Sequence, residues 1–277
     1  MLKARVLSAI VMALVFLSAL FLLPAVGFFV FISIVVLMAA WEWANLAGFQ
    51  RALEKLAFTV LLSVAGLCIG WYVGLDTLTY LSEESIRDVV LTGCVWWCIA
   101  LLWVQGYPSS AVFWGARASR LAMGFFVLLP AWLGLIFVRS LEQGAWMILL
   151  LIAIVACADI GAYFTGKAFG RRKLASAVSP GKSWEGVWGG FTASMLLALL
   201  IGQMWFPDQQ LALFAVVIPT ALVSILGDLL ESMVKRHRGI KDSGQLLPGH
   251  GGVLDRVDGI TASAPVFTLA LLSTGLV

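Results

Sequence analysis

Between Val6 and Ala40 the chain has no charged residue and no histidine. At about 1.5 Å per residue that run would make a straight helix of about 52 Å, far longer than the ~30 Å apolar core of a bilayer. Backbone inside lipid must satisfy its own hydrogen bonds, so such a run has to be helical and has to turn back. The turn is expected at Pro24-Ala-Val-Gly27, because proline breaks a helix interior. Apolar stretches recur along the chain, and nine are long enough to span: roughly 6–23, 25–41, 56–75, 89–105, 119–138, 145–165, 187–206, 211–230 and 260–277. Only 12% of the residues are charged, against about 25% in a soluble domain. The mean hydropathy is +1.00. The expected fold class is therefore all-α, a polytopic integral membrane protein of about nine transmembrane helices. No soluble domain, internal repeat, low-complexity tract or secretory signal is expected. The net charge of +3 gives no reason to expect nucleic acid as a partner.

The basic residues orient the spans. With nine spans and a cytoplasmic N-terminus, 16 of the 18 Lys and Arg fall on the inner side, and only Arg87 and Arg139 fall outside. Merging the first two spans leaves 14 inside and four outside. Cytoplasmic loops carry the excess of Lys and Arg, so the nine-span reading is favoured. Trp41, Trp43, Trp146, Trp188 and Trp205 lie near span ends and read as interfacial anchors. Cys68, Cys94, Cys98 and Cys157 lie inside apolar runs and read as small buried hydrophobes.

Polar chemistry gathers on the inner side of the second half. The richest stretch runs from Ser232 to Asp258. Its 27 residues hold five Lys or Arg, three Asp, both histidines and five glycines. Cations suit phosphate oxygens, carboxylates suit a divalent ion, and glycines allow close backbone approach. Asp255 and Asp258 are three apart and would share a helix face. With Asp228 they form a candidate hard-oxygen site for Mg2+, which takes one or two carboxylates plus substrate phosphates. A second cation is left open. Asp228 and Asp159 each sit within the inner end of a span, where a carboxylate faces a partner or a wet cavity. Asp159 is a further candidate ligand. Glu231 reads instead as an i, i+4 ion pair with Lys235. Ser179-Pro-Gly-Lys182 offers a hydroxyl, a turn and a lysine, the parts of a phosphate cradle, without being a Walker loop. The segment Gly249-His250-Gly251-Gly252 is expected to be a surface loop whose amides can wrap an anion, with His250 as a phosphate donor.

These residues resemble a known pattern. Phosphatidate cytidylyltransferases carry Ser-x-apolar-Lys-Arg, then Lys-Asp-x-small, then apolar-Pro/Gly-x-His-Gly-Gly-apolar-x-Asp-Arg-apolar-Asp. The fixed positions are met by Ser232, Lys235, Arg236, Lys241, Asp242, Gly244, Leu247, Pro248, His250, Gly251, Gly252, Asp255, Arg256 and Asp258. The likeness extends to Asp159-Ile-Gly-Ala-Tyr163, Ser179-Pro-Gly-Lys182 and Leu226-Gly-Asp-Leu229, and faintly to Trp41-Glu-Trp43. It covers essentially the whole chain and looks bacterial.

The resemblance implies a Mg2+-dependent reaction of CTP with phosphatidate, giving CDP-diacylglycerol and pyrophosphate. It also implies a homodimer in the cytoplasmic membrane, with the site open to the cytosol. Asp228, Asp255, Lys241, His250 and Arg256 are the expected catalytic residues. Ser179, Lys182, Lys235, Arg236, Asp242, Gly251 and Gly252 are expected to contact substrate. Asp228, Asp255, Asp258 and Asp159 are the expected metal ligands. Residues 1–140 are read as a scaffold with lipid and oligomer contacts. Residues 141–277 are read as the catalytic region, with cytoplasmic loops 166–186 and 231–259. A CDP-alcohol phosphotransferase begins Asp-x-x-Asp-Gly-x-x-Ala-Arg. Asp255-Arg-Val-Asp-Gly-Ile-Thr-Ala262 imitates that start, but Ser263 replaces the arginine and no acid follows Asp258. A transporter using Asp159 and Asp228 as an ion site would place them near the bilayer midplane and show internal symmetry.

Overall fold

The structure is a computed structural model that describes residues 2–75, 81–246 and 251–276. Its elements are α1 (Leu2–Leu22), α2 (Ala25–Ala47), α3 (Ala52–Val73), α4 (Glu83–Gln105), α5 (Ala111–Trp114), α6 (Arg117–Ser140), α7 (Gly144–Phe169), β1 (Lys173–Ala175), β2 (Ser179–Ser183), α8 (Trp184–Trp205), α9 (Gln210–Arg238) and α10 (Leu254–Thr274). Each expected span coincides with a helix, and Pro24 separates the first two with extended geometry. Among the described residues eight helices are long and apolar enough to cross a membrane. In α1 the described apolar stretch is Ser8–Leu22. The fold is all-α apart from one small hairpin.

Polar contacts sort to two ends of the bundle. At one end Arg139 donates to the Leu23 carbonyl at 2.9 Å, Tyr72 to Asp88 at 3.0 Å and Arg87 to the Leu272 carbonyl at 3.4 Å. At the other end Asn45 donates to the Ser243 carbonyl at 3.0 Å and Lys55 to Asn45 at 3.3 Å. Two apolar clusters lie between. One is built around Phe28, Leu133, Ile148 and Phe267, and the other around Trp43, Met123, Trp114 and Met233. Both draw on helices from each half of the chain, so the two halves share their core.

The end of α2 shows how sequence becomes packing. The helix stops at Gly48, whose φ of 107° is left-handed and suits glycine. The orphan carbonyl of Ala47 is then satisfied by the buried Arg120 guanidinium, at 3.0 and 3.2 Å. Arg120 also donates to the Gly115 carbonyl at 2.9 Å. Trp43 returns a bond to the Arg120 carbonyl at 2.7 Å. Trp43 is thus a core residue, 1% exposed, and not an interfacial anchor. Trp146, Trp188 and Trp205 are exposed, as anchors should be. Cys68 and Cys98 also face outward, against the expectation of burial.

Helices run past the expected spans at the polar end. The last turn of α9 carries Lys235, Arg236, His237 and Arg238, and cations at a C-terminus are favoured by the helix dipole. Within the expected loop 231–259, residues 231–238 are helical in α9, Ser232 and Lys235 among them, and 254–259 are helical in α10. His237 packs its ring on Trp114 at 4.9 Å between centroids. Within 166–186 the chain forms the β1–β2 antiparallel hairpin. Its turn lies at 176–178, so Pro180-Gly181 is returning strand and not the turn that its composition suggested.

Gly124 marks a close approach of α2 to α6. A Cβ there would lie 2.6 Å from Trp43 Cδ1. Gly124→Ala is expected to overpack this contact and cost about 1–3 kcal/mol. A lowered thermal unfolding midpoint in detergent checks it, with a surface Gly181→Ala control unchanged, since nothing lies within 4 Å of that position.

Candidate active site

The site is built where α9, α10, α7 and the hairpin meet. Glu231 and Lys235 are one turn apart on α9, and their side chains pair at 3.2 Å, as the spacing predicts. The same ammonium binds Asp255 of α10 at 2.7 Å. One turn earlier, Asp228 accepts a bond from Ser232 at 3.0 Å and pairs with Lys182 of β2 at 2.6 Å. Lys182 also reaches the Ile225 carbonyl at 3.3 Å, which holds the hairpin on α9. Arg236 strengthens that hold through the Val178 carbonyl, at 3.3 Å. Asp258, one turn beyond Asp255, acts electrostatically on Asp228, Lys182 and Lys235. Asp159 is exposed on α7 within electrostatic reach of Lys182 and Asp228. Gly227 lets α10 come this close: a Cβ there would collide with the Asp258 carbonyl.

Asp159, Asp228, Glu231, Asp255 and Asp258 are thus gathered around Lys182 and Lys235. The acids outnumber the lysines. Glu231 is 2% exposed, and its Oε2 is buried without a hydrogen-bond partner among the described residues. An orphaned carboxylate oxygen beside other acids calls for a cation or a shared proton. Among the described residues no three ligating side chains converge as a ready-made metal cage. Mg2+ does not need one, because it keeps water and phosphate oxygens and takes one or two carboxylates. The residues fit such an ion.

A family model described as "Cytidylyltransferase family" matches residues 3–274. The chain belongs to the cytidylyltransferase family. It is 44% identical to a phosphatidate cytidylyltransferase of Pseudomonas aeruginosa, over 99% of this chain and 98% of that protein. It is 40% identical to the Haemophilus influenzae protein of the same name, over 97% and 98% of the two chains. A Staphylococcus epidermidis protein of that name is 32% identical over 98% of this chain and all of its own length.

In this cytidylyltransferase the residues expected at the site fall into separate neighbourhoods. Lys182, Lys235, Asp228, Asp255, Asp258 and, at the rim, Asp159 come together. Asp255 has both oxygens engaged: Oδ1 by Lys235, and Oδ2 by the Gly252 amide at 2.8 Å and the Ser243 amide at 3.1 Å. Lys241 and Asp242 are exposed and line a polar pocket of about 610 Å3 with Trp41, Asn45 and Lys55, and Asp242 also lies against Gly251 beside Asp255. Ser179 opens strand β2. Gly251 has a φ of 86°, and a Cβ there would press on Asp255. Arg256 is exposed and faces an apolar cavity on the other side of α10. His250 lies outside the described residues, as do Leu247 and Pro248.

Sequence reasoning missed Glu42 as a site-building residue. This carboxylate of α2 is 1% exposed. It accepts from the amides of Val253 at 3.0 Å and Leu254 at 2.8 Å, and from the Ser243 hydroxyl at 3.3 Å. It caps α10 from another helix, satisfying amides that a helix N-terminus leaves orphaned. The expected anion-wrapping amides of this region are therefore already used at Gly252, Val253 and Leu254, by Asp255 and Glu42. Two glycines fit around the carboxylate: a Cβ on Gly244 or Gly252 would collide with Glu42. The available signals were an acid at the end of a long apolar run and the faint family likeness at Trp41-Glu-Trp43. Glu42→Ala should leave three buried donors unpaired, a penalty of about 1–3 kcal/mol per group. Amide exchange at Val253 and Leu254, read by mass spectrometry, is expected to speed at least about tenfold, while exchange in α4 stays unchanged.

Proposed function

We propose that this chain is a phosphatidate cytidylyltransferase, transferring CMP from CTP to phosphatidate to give CDP-diacylglycerol and pyrophosphate. The observation that carries this reading is the near-full-length identity to proteins of that name, joined to a charged centre at one end of a membrane-spanning bundle. The lipid phosphate is already anionic, so no protein base has to activate it. One of its oxygens bonds to the α-phosphorus of CTP while the bond from that phosphorus to the β-phosphate oxygen breaks, and pyrophosphate leaves. The barrier is mainly charge repulsion and alignment.

Each side chain then has a task. Asp228 and Asp258 are the ligands proposed for Mg2+, with Asp159 and the orphaned Glu231 oxygen beside them. When bound, Mg2+ screens the charges of nucleophile and leaving group. Lys182 is placed to exchange its Asp228 contact for a phosphate oxygen. Lys235 holds α9 to α10, and Asp255 holds the 243–252 segment in place. That assigns Asp255 a positioning role in preference to the ligand role expected from its spacing. Lys241, Arg256 and His250 remain candidate phosphate contacts. The cytoplasmic placement of this end rests on the distribution of Lys and Arg, which puts the site where CTP is found. Nine spans, the bacterial cytoplasmic membrane and a homodimer belong to the same proposal.

Purified protein is expected to release pyrophosphate from CTP only when phosphatidate is added, and to stop when EDTA removes divalent metal. Asp228→Asn and Asp258→Asn should each lower kcat by at least about 100-fold, ~2.7 kcal/mol of barrier. Glu231→Gln should lower it less, because the lysine contact through the amide oxygen survives. Phosphatidate-independent release, or near-normal turnover in Asp258→Asn, would overturn this assignment.

A further inference from the structure

Beside the charged centre lies a second, very different space. It is a cavity of about 650 Å3 walled by α1, α2, α6, α7 and α10. Its lining is apolar except at Thr261 and at Arg256, its one charged residue. The stripe Val253, Arg256, Val257, Ile260 follows helical spacing and gives one face of α10 to this cavity. Asp255 and Asp258 give the opposite face to the charged centre. Arg256 directly follows Asp255 in the chain. Both belong to the first turn of α10, so a phosphate held by Arg256 sits beside the end of the helix whose other side carries the carboxylates.

The lining runs along the bundle from one end towards the other. On α10 it starts at Val253, at the polar end of the bundle. On α7 it reaches Ile148, one turn from the helix start at Gly144, at the opposite end. A water occupies about 30 Å3 of liquid and a methylene is of similar size, so roughly twenty heavy atoms fill the cavity. That is one long acyl chain, and less than two. A charged mouth with a long apolar interior matches an amphiphile whose head is an anion.

We propose that this cavity takes one acyl chain of the lipid phosphate on which the site acts, with Arg256 at its mouth holding the phosphate. The proposal rests on the cytidylyltransferase reading above and adds to it the place from which the lipid enters the reaction. The second acyl chain stays in the bilayer. Selectivity for an anionic head follows from Arg256, the one charged residue of the lining.

The test uses the whole protein in detergent micelles and phosphatidate with a photoactivatable diazirine at the end of one acyl chain. Crosslinks are expected in segments 128–135 and 148–152, competed by unlabelled phosphatidate and not by phosphatidylcholine. Ala13 is an exposed wall residue of α1, so Ala13→Trp fills the cavity without crowding a packed core. That variant should raise KM for dioleoyl phosphatidate by at least about fivefold, and leave KM for dihexanoyl phosphatidate and for CTP within about twofold. Arg256→Gln should weaken crosslinking by phosphatidate, and leave crosslinking by diacylglycerol of the same chain unchanged. Crosslinks competed equally by phosphatidylcholine mean a structural lipid and overturn the proposal. Crosslinks mapping elsewhere, or a KM change in Ala13→Trp that ignores chain length, overturn it as well. Specific crosslinks in a wild-type protein that makes no CDP-diacylglycerol would sink the reaction and leave the lipid-phosphate cavity standing.

Discussion

A carboxylate buried in an apolar helix must find donors, and Glu42 finds three of them in one short segment. Its oxygens take the amides of Val253 and Leu254 and the hydroxyl of Ser243. A buried anion left unpaired costs several kcal/mol, so this arrangement is close to obligatory once Glu42 is where it is. The consequence is long-range. The most polar stretch of the chain is tied to α2, about 200 residues away in sequence. Through Glu42, α2 is therefore part of the framework that holds Ser243 and the start of α10.

Two lysines perform the complementary task. Lys235 sits between Glu231 and Asp255, so it ties α9 to α10. Lys182 pairs with Asp228 and ties the hairpin to α9. Both ammoniums are partly shielded from solvent, where Coulomb attraction is stronger than at an open surface. Their two charges fall short of the acids around them, and Glu231 keeps an oxygen with no donor among the described residues. A centre that is structurally complete yet short of positive charge is suited to a metal-nucleotide complex. The amides of Gly252, Val253 and Leu254 are already committed to Asp255 and Glu42, so they are not open to an incoming phosphate.

Much of this was legible in the chain. The apolar runs announced their helices, because a membrane segment has almost no other way to satisfy its backbone. The Glu231–Lys235 pair was readable because helix spacing alone brings those side chains together. Asp228, Asp255 and Asp258 were recognisable as acids crowded against a membrane span. Other features were hidden. Pro180-Gly181 has the composition of a turn and lies in a strand, because pairing with β1 sets the turn at 176–178. Trp43 looked like an interfacial anchor, and Gly124 turned it into core by letting α6 approach. The partners of Asp255 were hidden too: Lys235, Gly252 and Ser243 meet it only in the folded chain.

The sequence by itself determined the helical class, the membrane setting, the polar end where chemistry gathers and the family to which the chain belongs. Those properties follow from local rules: hydropathy over some twenty residues, helical spacing and a long run of fixed polar positions. Only the tertiary structure decided which acids meet which lysines, that Glu42 organises the 243–254 segment, and that α10 shows carboxylates to one side and Arg256 to an apolar cavity on the other. Those are contacts between residues far apart in sequence. They depend on close helix approaches, such as Gly227 against Asp258, that no local pattern encodes.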